Sequence, residues 1–281
     1  MNPIYINKLD NQKQKEPSFI PQTSFQCMLI GSIGASKTTT LINLLKDPKA
    51  FAGRFNKIII VSPTAHLDEK WKILYKYPII VPNKRLIKKL LEEERKKKRK
   101  GKVCIGHMPN DTYFDDEIYN IENTKIRPIK DTDFVNGVDL SFLPELLKQQ
   151  DKIITKFGKD YVDHVLIICD DCVSDPKTFR DPNVLGACLR SRHYEISTIY
   201  VTQCYYLIPK SVRLNCGWKI VYGMYNETEL KDLYSENTCD MNFKEFLIKF
   251  HKIIEIPYAF ASINYYNNKG FRLANCLHEF V

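Results

Sequence analysis

Short apolar runs separated by polar, helix-patterned stretches set the reading of this chain. "FQCMLI" at 25–30 is a buried strand that enters a glycine-containing turn, and Thr38–Lys46 is the helix that follows, stopped near Asp47-Pro48. "NKIIIVSPT" at 56–64 is a second strand bounded by a Ser-Pro turn. Residues 65–140 carry few long periodic runs and read as an elaboration between the second and third strands. Ser141 is placed to cap a helix over "FLPELLKQQDKIITKF", with Pro144 tolerated in its first turn. "HVLIICDD" at 164–171 is apolar throughout, which predicts a central strand covered on both faces. A helix over Asn183–Arg192, strands at 196–203 ("ISTIYVTQ") and 218–223 ("WKIVYG"), helices at 227–236 and 242–252 and a strand near 258–264 complete the pattern. Strands alternating with helices predict an α/β fold with a doubly wound, mostly parallel sheet flanked by helices. There is no internal repeat.

Length and composition narrow this further. The 281 residues suffice for a substantial core without disulfides or metals. The polar start, "MNPIYINKLDNQKQKEP", lacks the apolar region of a signal peptide, and no stretch approaches the roughly 18 apolar residues of a membrane span. The expectation is a soluble intracellular protein with a flexible arm over 1–22 and one domain over 23–281. Nine cysteines are scattered, several inside strand-like runs, which fits a reducing compartment. Cys169 and Cys172 form a CxxC, but no second pair stands at zinc-ribbon spacing, so buried strand thiols are the preferred reading. Residues 84–102 hold eleven Lys or Arg against three Glu, eight of the chain's net +9. A concentrated positive block points to a polyanion such as nucleic acid, with Lys96, Lys97, Lys98, Arg99 and Lys100 as candidate contacts. The competing reading is a solvated helix, because Glu92–Lys96, Glu93–Lys97 and Glu94–Lys98 stand four apart in the favourable order.

The candidate chemistry lies in "GSIGASKTT". Gly31, four residues, Ser36, Lys37 and Thr38 match the phosphate-loop (Walker A) pattern GxxxxGK[ST] except at its second glycine, where Ser36 stands. That glycine lets backbone N–H groups turn toward phosphates with no side chain in the way. A string of this kind is also often a plain turn before a helix, but a buried strand before it and a helix after it are the setting a phosphate loop requires. Gly31, Ser32, Ile33, Gly34, Ala35, Ser36, Lys37, Thr38 and Thr39 are therefore the expected ATP-binding residues. Lys37 would neutralise the β- and γ-phosphates and Thr38 would ligate Mg²⁺.

A metal-bound nucleotide also needs a carboxylate at the C-terminal tip of a neighbouring strand, and Asp170 is so placed; Asp171 is the candidate base for the attacking water. Gln203, at the end of the strand "STIYVT", stands where a γ-phosphate sensor would sit, although a strand-end amide is unremarkable alone. Tyr205 and Tyr206 are read as core or interface aromatics, and His193 as either a packed, hydrogen-bonded residue or a functional one, with nothing to choose between them.

Together "GSIGASKTTTLINLL", "HVLIICDDCVSD" and "LRSRHYEISTIYVTQCYYLIPKSVRLN" resemble the genome-packaging ATPases of poxviruses, giant viruses and virophage-like relatives, in the FtsK/HerA superfamily of DNA pumps. The resemblance covers about residues 25–222 and is thin over 65–140 and the tail. It implies a P-loop NTPase core with an additional strand, acting as a homo-oligomeric ring that drives double-stranded DNA into a capsid. It also implies docking on a capsid protein or portal-like vertex, at an assembly site in the host cytoplasm or nucleus or on the virion. It gives Asp170 the metal, Asp171 the role of base and Gln203 that of sensor, and it adds an arginine from an adjacent subunit, for which Arg190, Arg192 and Arg213 are candidates and Arg192 or Arg213 preferred. Ser36 and Asp171, where many related motors have Gly and Glu, predict slow turnover without removing a needed charge. Two rivals stay open: a small-molecule or nucleoside kinase on the same loop, and a non-catalytic nucleotide-binding assembly adaptor.

Overall fold

The apolar runs assemble edge to edge. A computed structural model describes residues 20–21, 24–47, 50–51, 54–64, 71, 79–82, 124–127, 134–136, 139–171, 178–224, 226–237, 241–266, 273–275 and 279–280. The arm over residues 1–19, the basic segment 84–102 with Lys96–Lys100, and Cys172 lie outside the described residues. In chain order the elements are β1 (Gln26–Ile30), α1 (Lys37–Lys46), β2 (Lys57–Ser62), β3 (Ile79–Pro82), β4 (Thr124–Arg127) and β5 (Phe134–Asn136). There follow α2 (Leu143–Phe157), β6 (Val165–Asp170), α3 (Pro182–Arg190), β7 (Ile196–Thr202), α4 (Lys210–Asn215) and β8 (Trp218–Val221). The chain ends with α5 (Glu227–Glu236), α6 (Phe243–Ile254), β9 (Ala261–Asn264), β10 (Leu273–Asn275) and β11 (Glu279–Phe280).

Among the described residues the main sheet has nine strands in the order β11-β10-β9-β8-β1-β7-β6-β2-β5, and β3 pairs with β4 in a separate antiparallel ribbon. From β8 to β5 every pairing is parallel, so these strands end on a common edge; β9, β10 and β11 continue the sheet antiparallel. This is the mostly parallel α/β sheet expected of a P-loop NTPase with an additional strand. Two features differ from expectation. Strand β6 is not the neighbour of β1, because β7 is inserted between them with Ile30 opposite Thr202 and Asp170 opposite Val201. The elaboration supplies an edge strand, β5, paired in parallel with β2.

Alternation along the strands divides the core into two layers. Met28, Ile30, Val165, Ile167, Cys169 and Tyr200 face α2 to α6, whose buried residues include Leu147, Val184, Val212, Leu233 and Phe250. Cys27, Leu29, Leu166, Ile168, Ile199 and Val201 face the other way, with Leu41, Ile42, Leu44 and Leu45 of α1 and an aromatic group around Phe25. The Phe25 ring stacks on Phe51 at 5.4 Å and meets Trp218 edge-on at 5.9 Å. Among the described residues Cys27, Cys169, Cys188 and Cys216 are buried and Cys204 is half-buried.

Helix starts are explained by local hydrogen bonding. Asp181, Asn226 and Asn242 accept from N–H groups of the first turns of α3, α5 and α6. Ser141 does not cap α2 as expected. Its N–H and hydroxyl both donate to Asp139, at 2.7 and 2.9 Å, and Phe142 takes the cap position without a side-chain bond.

The short α4 is held to α5 by a buried ion pair. Arg213 donates to Glu236 through Nε at 3.0 Å and Nη2 at 2.5 Å, and to the Ile208 carbonyl through Nη1 at 3.0 Å, while its guanidinium lies 4.5 Å from the Tyr205 ring centre. The Tyr205 hydroxyl donates to the same carboxylate at 2.6 Å. Burial disfavours a charged Glu236, but the bonds from Arg213 and Tyr205 prevail and hold its pKa below the ordinary carboxylate value. Nearby, the Lys219 ammonium is buried and donates to the Cys216 carbonyl and Asn237, and burial lowers its pKa. Removing one partner of a buried pair strands the other charge, at a cost of about 3 kcal/mol. Arg213→Met is therefore expected to lower the unfolding free energy by about that amount, measured by urea unfolding, and a loss within error of zero would show the pair to be dispensable.

Candidate functional site

The loop between β1 and α1 is shaped by two residues with positive φ, Gly34 at 79° and Ser36 at 66°. The second is the position at which the motif asks for glycine. In the left-handed region the Cβ of an L-residue approaches the following carbonyl, at a cost of roughly 1–2 kcal/mol. Ser36 adopts that conformation as the residue preceding α1, so the serine follows the backbone path that glycine would take.

Gly31 is fixed by crowding. A Cβ there would stand 2.7 Å from the Tyr222 Cβ, because Tyr222 N–H donates to the Ile30 carbonyl at 2.8 Å and draws β8 tight against the loop. The Tyr222 hydroxyl and Thr40 Oγ1 are 2.5 Å apart, tying the same strand end to α1.

Lys37 Nζ folds over the loop and donates to the carbonyls of Gly31 at 2.7 Å and Ser32 at 2.9 Å. Ala35 N–H closes a turn on the Ser32 carbonyl at 3.3 Å. The first-turn N–H groups of a helix have no intrahelical acceptor, and α1 has no acidic residue in its first turn. That end is therefore electropositive and suited to phosphate. Ile33 projects from the loop at 83% exposure.

Asp170 ends β6 on the α1 side of the sheet, at 6% exposure. With β7 between β1 and β6, it lies two strand spacings from the end of β1, about 10 Å. That distance leaves room for phosphate and a hydrated metal between the acid and the loop. Its Oδ2 accepts from the indole Nε1–H of Trp71 at 3.0 Å. Asp171 is more open, takes φ 52°, and donates its N–H to the Val201 carbonyl at 3.2 Å. Gln203, exposed just beyond β7, brings Nε2 to 3.5 Å from Asp171 Oδ1. Lys37, Asp170, Asp171 and Gln203 thus share the C-terminal edge of the parallel strands. Sequence reading placed all four but missed Trp71, which stands in a stretch without periodicity.

The residues fit both expected groups. Phosphates would meet the loop N–H groups and Lys37. Mg²⁺ takes hard oxygen donors and is usually shared with substrate phosphates rather than caged by protein, and Thr38 and Asp170 supply such oxygens. Among the described residues no group of three or more His, Cys, Asp or Glu is arranged to hold a metal.

The arginines lie elsewhere. Arg213, one of the expected catalytic candidates, is engaged with Glu236 and Ile208 through all three guanidinium nitrogens. Arg190 Nε donates to the Gly186 carbonyl at 3.0 Å. Arg192 precedes β7, at the sheet edge opposite the loop; its guanidinium lies 5.9 Å from the Tyr266 ring centre, and its Nε is buried without a hydrogen-bond partner.

No protein-family model matches the chain, and no curated protein matches it. It is similar to the solved structure of the genome packaging NTPase B204 from Sulfolobus turreted icosahedral virus 2 in complex with ATP-gammaS, at 13% identity and TM-score 0.46, covering 90% of this chain and 98% of that one. It is similar also to B204, the DNA-packaging ATPase from Sulfolobus turreted icosahedral virus, at 14% identity and TM-score 0.48, covering 91% and 99%. A third similar structure is the pCW3 conjugation coupling protein TcpA with ATPgS, at 12% identity and TM-score 0.41, covering 92% of this chain and 61% of that one. With every one of these scores below 0.5, the fold assignment rests on the strand order and loop geometry of the chain itself.

The strained Ser36 gives a direct test of the loop. Ser36→Gly is expected to raise stability by about 0.5–1 kcal/mol, the left-handed strain relieved less the added chain entropy of glycine. Ser36→Val should lower it. Thermal unfolding of the two variants checks the order, and equal melting temperatures would contradict the left-handed conformation.

Proposed function

We propose that this chain is a Mg²⁺-dependent ATPase that works as a homo-oligomeric ring and drives double-stranded DNA into a capsid. The observation that carries the ATPase reading is the convergence of Lys37, Asp170, Asp171 and Gln203 on one strand edge, with β7 inserted between the loop strand and the acid strand. The DNA-packaging reading is supported by the three-segment motif resemblance and the concentrated charge of residues 84–102.

In this reading the loop N–H groups hold the phosphates, and Lys37 exchanges its two carbonyl partners for phosphate oxygens, a stronger charge-assisted bond. Thr38 and Asp170 hold Mg²⁺, which when bound would offset the charge of the phosphates. Asp171 accepts the proton of the attacking water as oxygen bonds to the γ-phosphorus and the bridging bond to the β-phosphate breaks, leaving ADP and phosphate. Gln203, already beside Asp171, orients that water and senses whether the γ-phosphate is present. Arg192, on the far edge, reaches a nucleotide only on a neighbouring copy, as a ring would allow. DNA contact through phosphates would be sequence-independent and strongly salt-dependent.

The test is ATP hydrolysis by the purified chain with and without duplex DNA. The expected result is DNA-stimulated turnover that Lys37→Ala reduces by about 10²–10³-fold. Turnover that needs a small acceptor and ignores DNA would favour a kinase, and nucleotide binding without turnover would favour an assembly adaptor. Replacing Lys96, Lys97 and Lys98 with Glu is expected to weaken duplex binding and flatten its salt dependence. Unchanged binding would remove the basic segment from the interface.

A further inference from the structure

The geometry points to Trp71 as a positioning residue for the metal-binding carboxylate, a role that rests on the Mg²⁺-ATP reading above. Asp170 is 6% exposed and Trp71 fully buried, and the indole Nε1–H donates to Asp170 Oδ2 at 3.0 Å. An ionised carboxylate out of contact with water is costly unless its oxygens are hydrogen-bonded, and indole N–H is a donor that never accepts. One oxygen is therefore pinned from within the core. Pinning it restricts rotation of the carboxylate about its last side-chain torsion, which otherwise has a broad, roughly two-fold profile, and so sets the direction of the second oxygen.

The body of Trp71 is itself held. It belongs to the buried cluster that contains Leu41, Ile42 and Leu45 of α1, Ile58 and Ile60 of β2, and Leu166 and Ile168 of β6. Helix α1 begins with Lys37 and Thr38, the phosphate and metal residues of the loop. One aromatic side chain therefore shares a packed layer with the helix that presents Thr38 while donating its only polar hydrogen to Asp170. The two protein oxygens offered to Mg²⁺ come from distant parts of the chain, and Trp71 ties the acid to the layer of the loop helix. A phenylalanine would fill most of the same space and tie nothing. The specific consequence is for the metal, since the triphosphate itself is held by loop N–H groups and Lys37.

The 281-residue chain contains two tryptophans, Trp71 and Trp218, so incorporation of 5-fluorotryptophan gives two ¹⁹F resonances, assignable through either Trp71→Phe or Trp218→Phe. With a non-hydrolysable ATP analogue bound in EDTA, added Mg²⁺ is expected to shift the Trp71 resonance and leave that of Trp218 in place. In parallel, Trp71→Phe should raise the Mg²⁺ concentration for half-maximal hydrolysis about tenfold while binding the analogue in EDTA as wild type does. A Trp71 resonance indifferent to Mg²⁺, an unchanged Mg²⁺ requirement, or an equal loss of metal-free nucleotide binding would each overturn the role. Failure of the wild-type chain to bind the analogue at all would overturn the nucleotide reading itself, a different result from a wild-type site that binds metal without regard to Trp71.

Discussion

The parallel alignment of β8, β1, β7, β6 and β2 is the constraint on which the rest of this molecule depends. A parallel strand ends where its neighbours end, and each connection must return along a face of the sheet before the next strand begins. Every loop leaving the C-terminal edge is thus brought to one place, although the residues concerned are spread from Gly31 to Gln203 along the chain. Insertion of β7 between β1 and β6 then sets the spacing within that edge. With β6 one strand removed from β1, about 10 Å separates the acid from the end of β1, which leaves space for a hydrated ion and a phosphate between them. The interposed strand places Gln203 in that gap, with its amide against Asp171.

Within this frame the substitution of glycine by Ser36 is tolerable for a physical reason. The motif selects glycine for its access to positive φ and for the absence of a side chain facing the ligand. Ser36 meets the first requirement at a cost in strain, since its φ is 66°, and the interlocking around it absorbs that cost. Tyr222 presses against Gly31 and bonds to Thr40, and Lys37 ties down the carbonyls of Gly31 and Ser32. A strained residue persists where its surroundings over-determine the backbone. The loop is held on one backbone path by its neighbours even though its sequence departs from the motif.

Much of this was legible in the sequence, and what was not shares a cause. Strands β1, β2, β6, β7 and β8 are uninterrupted apolar runs because parallel strands are covered on both faces, and such runs stand out in any composition. The loop lysine and the paired acids could be placed because their chemistry demands fixed positions at strand ends. Strand β5, by contrast, is three residues long, too short to show alternation, and its identity comes from pairing with β2. Trp71 is invisible for the same reason: its importance lies in meeting Asp170 across 99 residues of chain. Arg213 misled in the opposite sense. Its position in a motif-rich segment suggested catalysis, and in the fold it bonds to Glu236 and lies over the Tyr205 ring, both contributed by other elements. Ser141 was a plausible cap until Asp139, two residues earlier, offered its N–H a better acceptor. Local patterns predicted what local forces decide, and long-range partners decided the remainder.

The two edges of the sheet also differ in charge, and the difference bears on how a site could be completed. The C-terminal edge presents Lys37 together with two acids and an amide. Arg192 stands at the opposite edge, before β7, with its guanidinium near Tyr266 and its Nε buried without a partner. An arginine so placed cannot reach the phosphates of its own chain, because the whole length of β7 lies between them. A cation placed as Arg192 is would meet the loop edge of a second copy whose far edge faces this one. Head-to-tail contact of that kind joins unlike surfaces, and when its rotation closes it generates a ring. The separation of loop and arginine by one strand length thus follows from the parallel sheet, and it makes assembly a condition of completing the site in the reading advanced above.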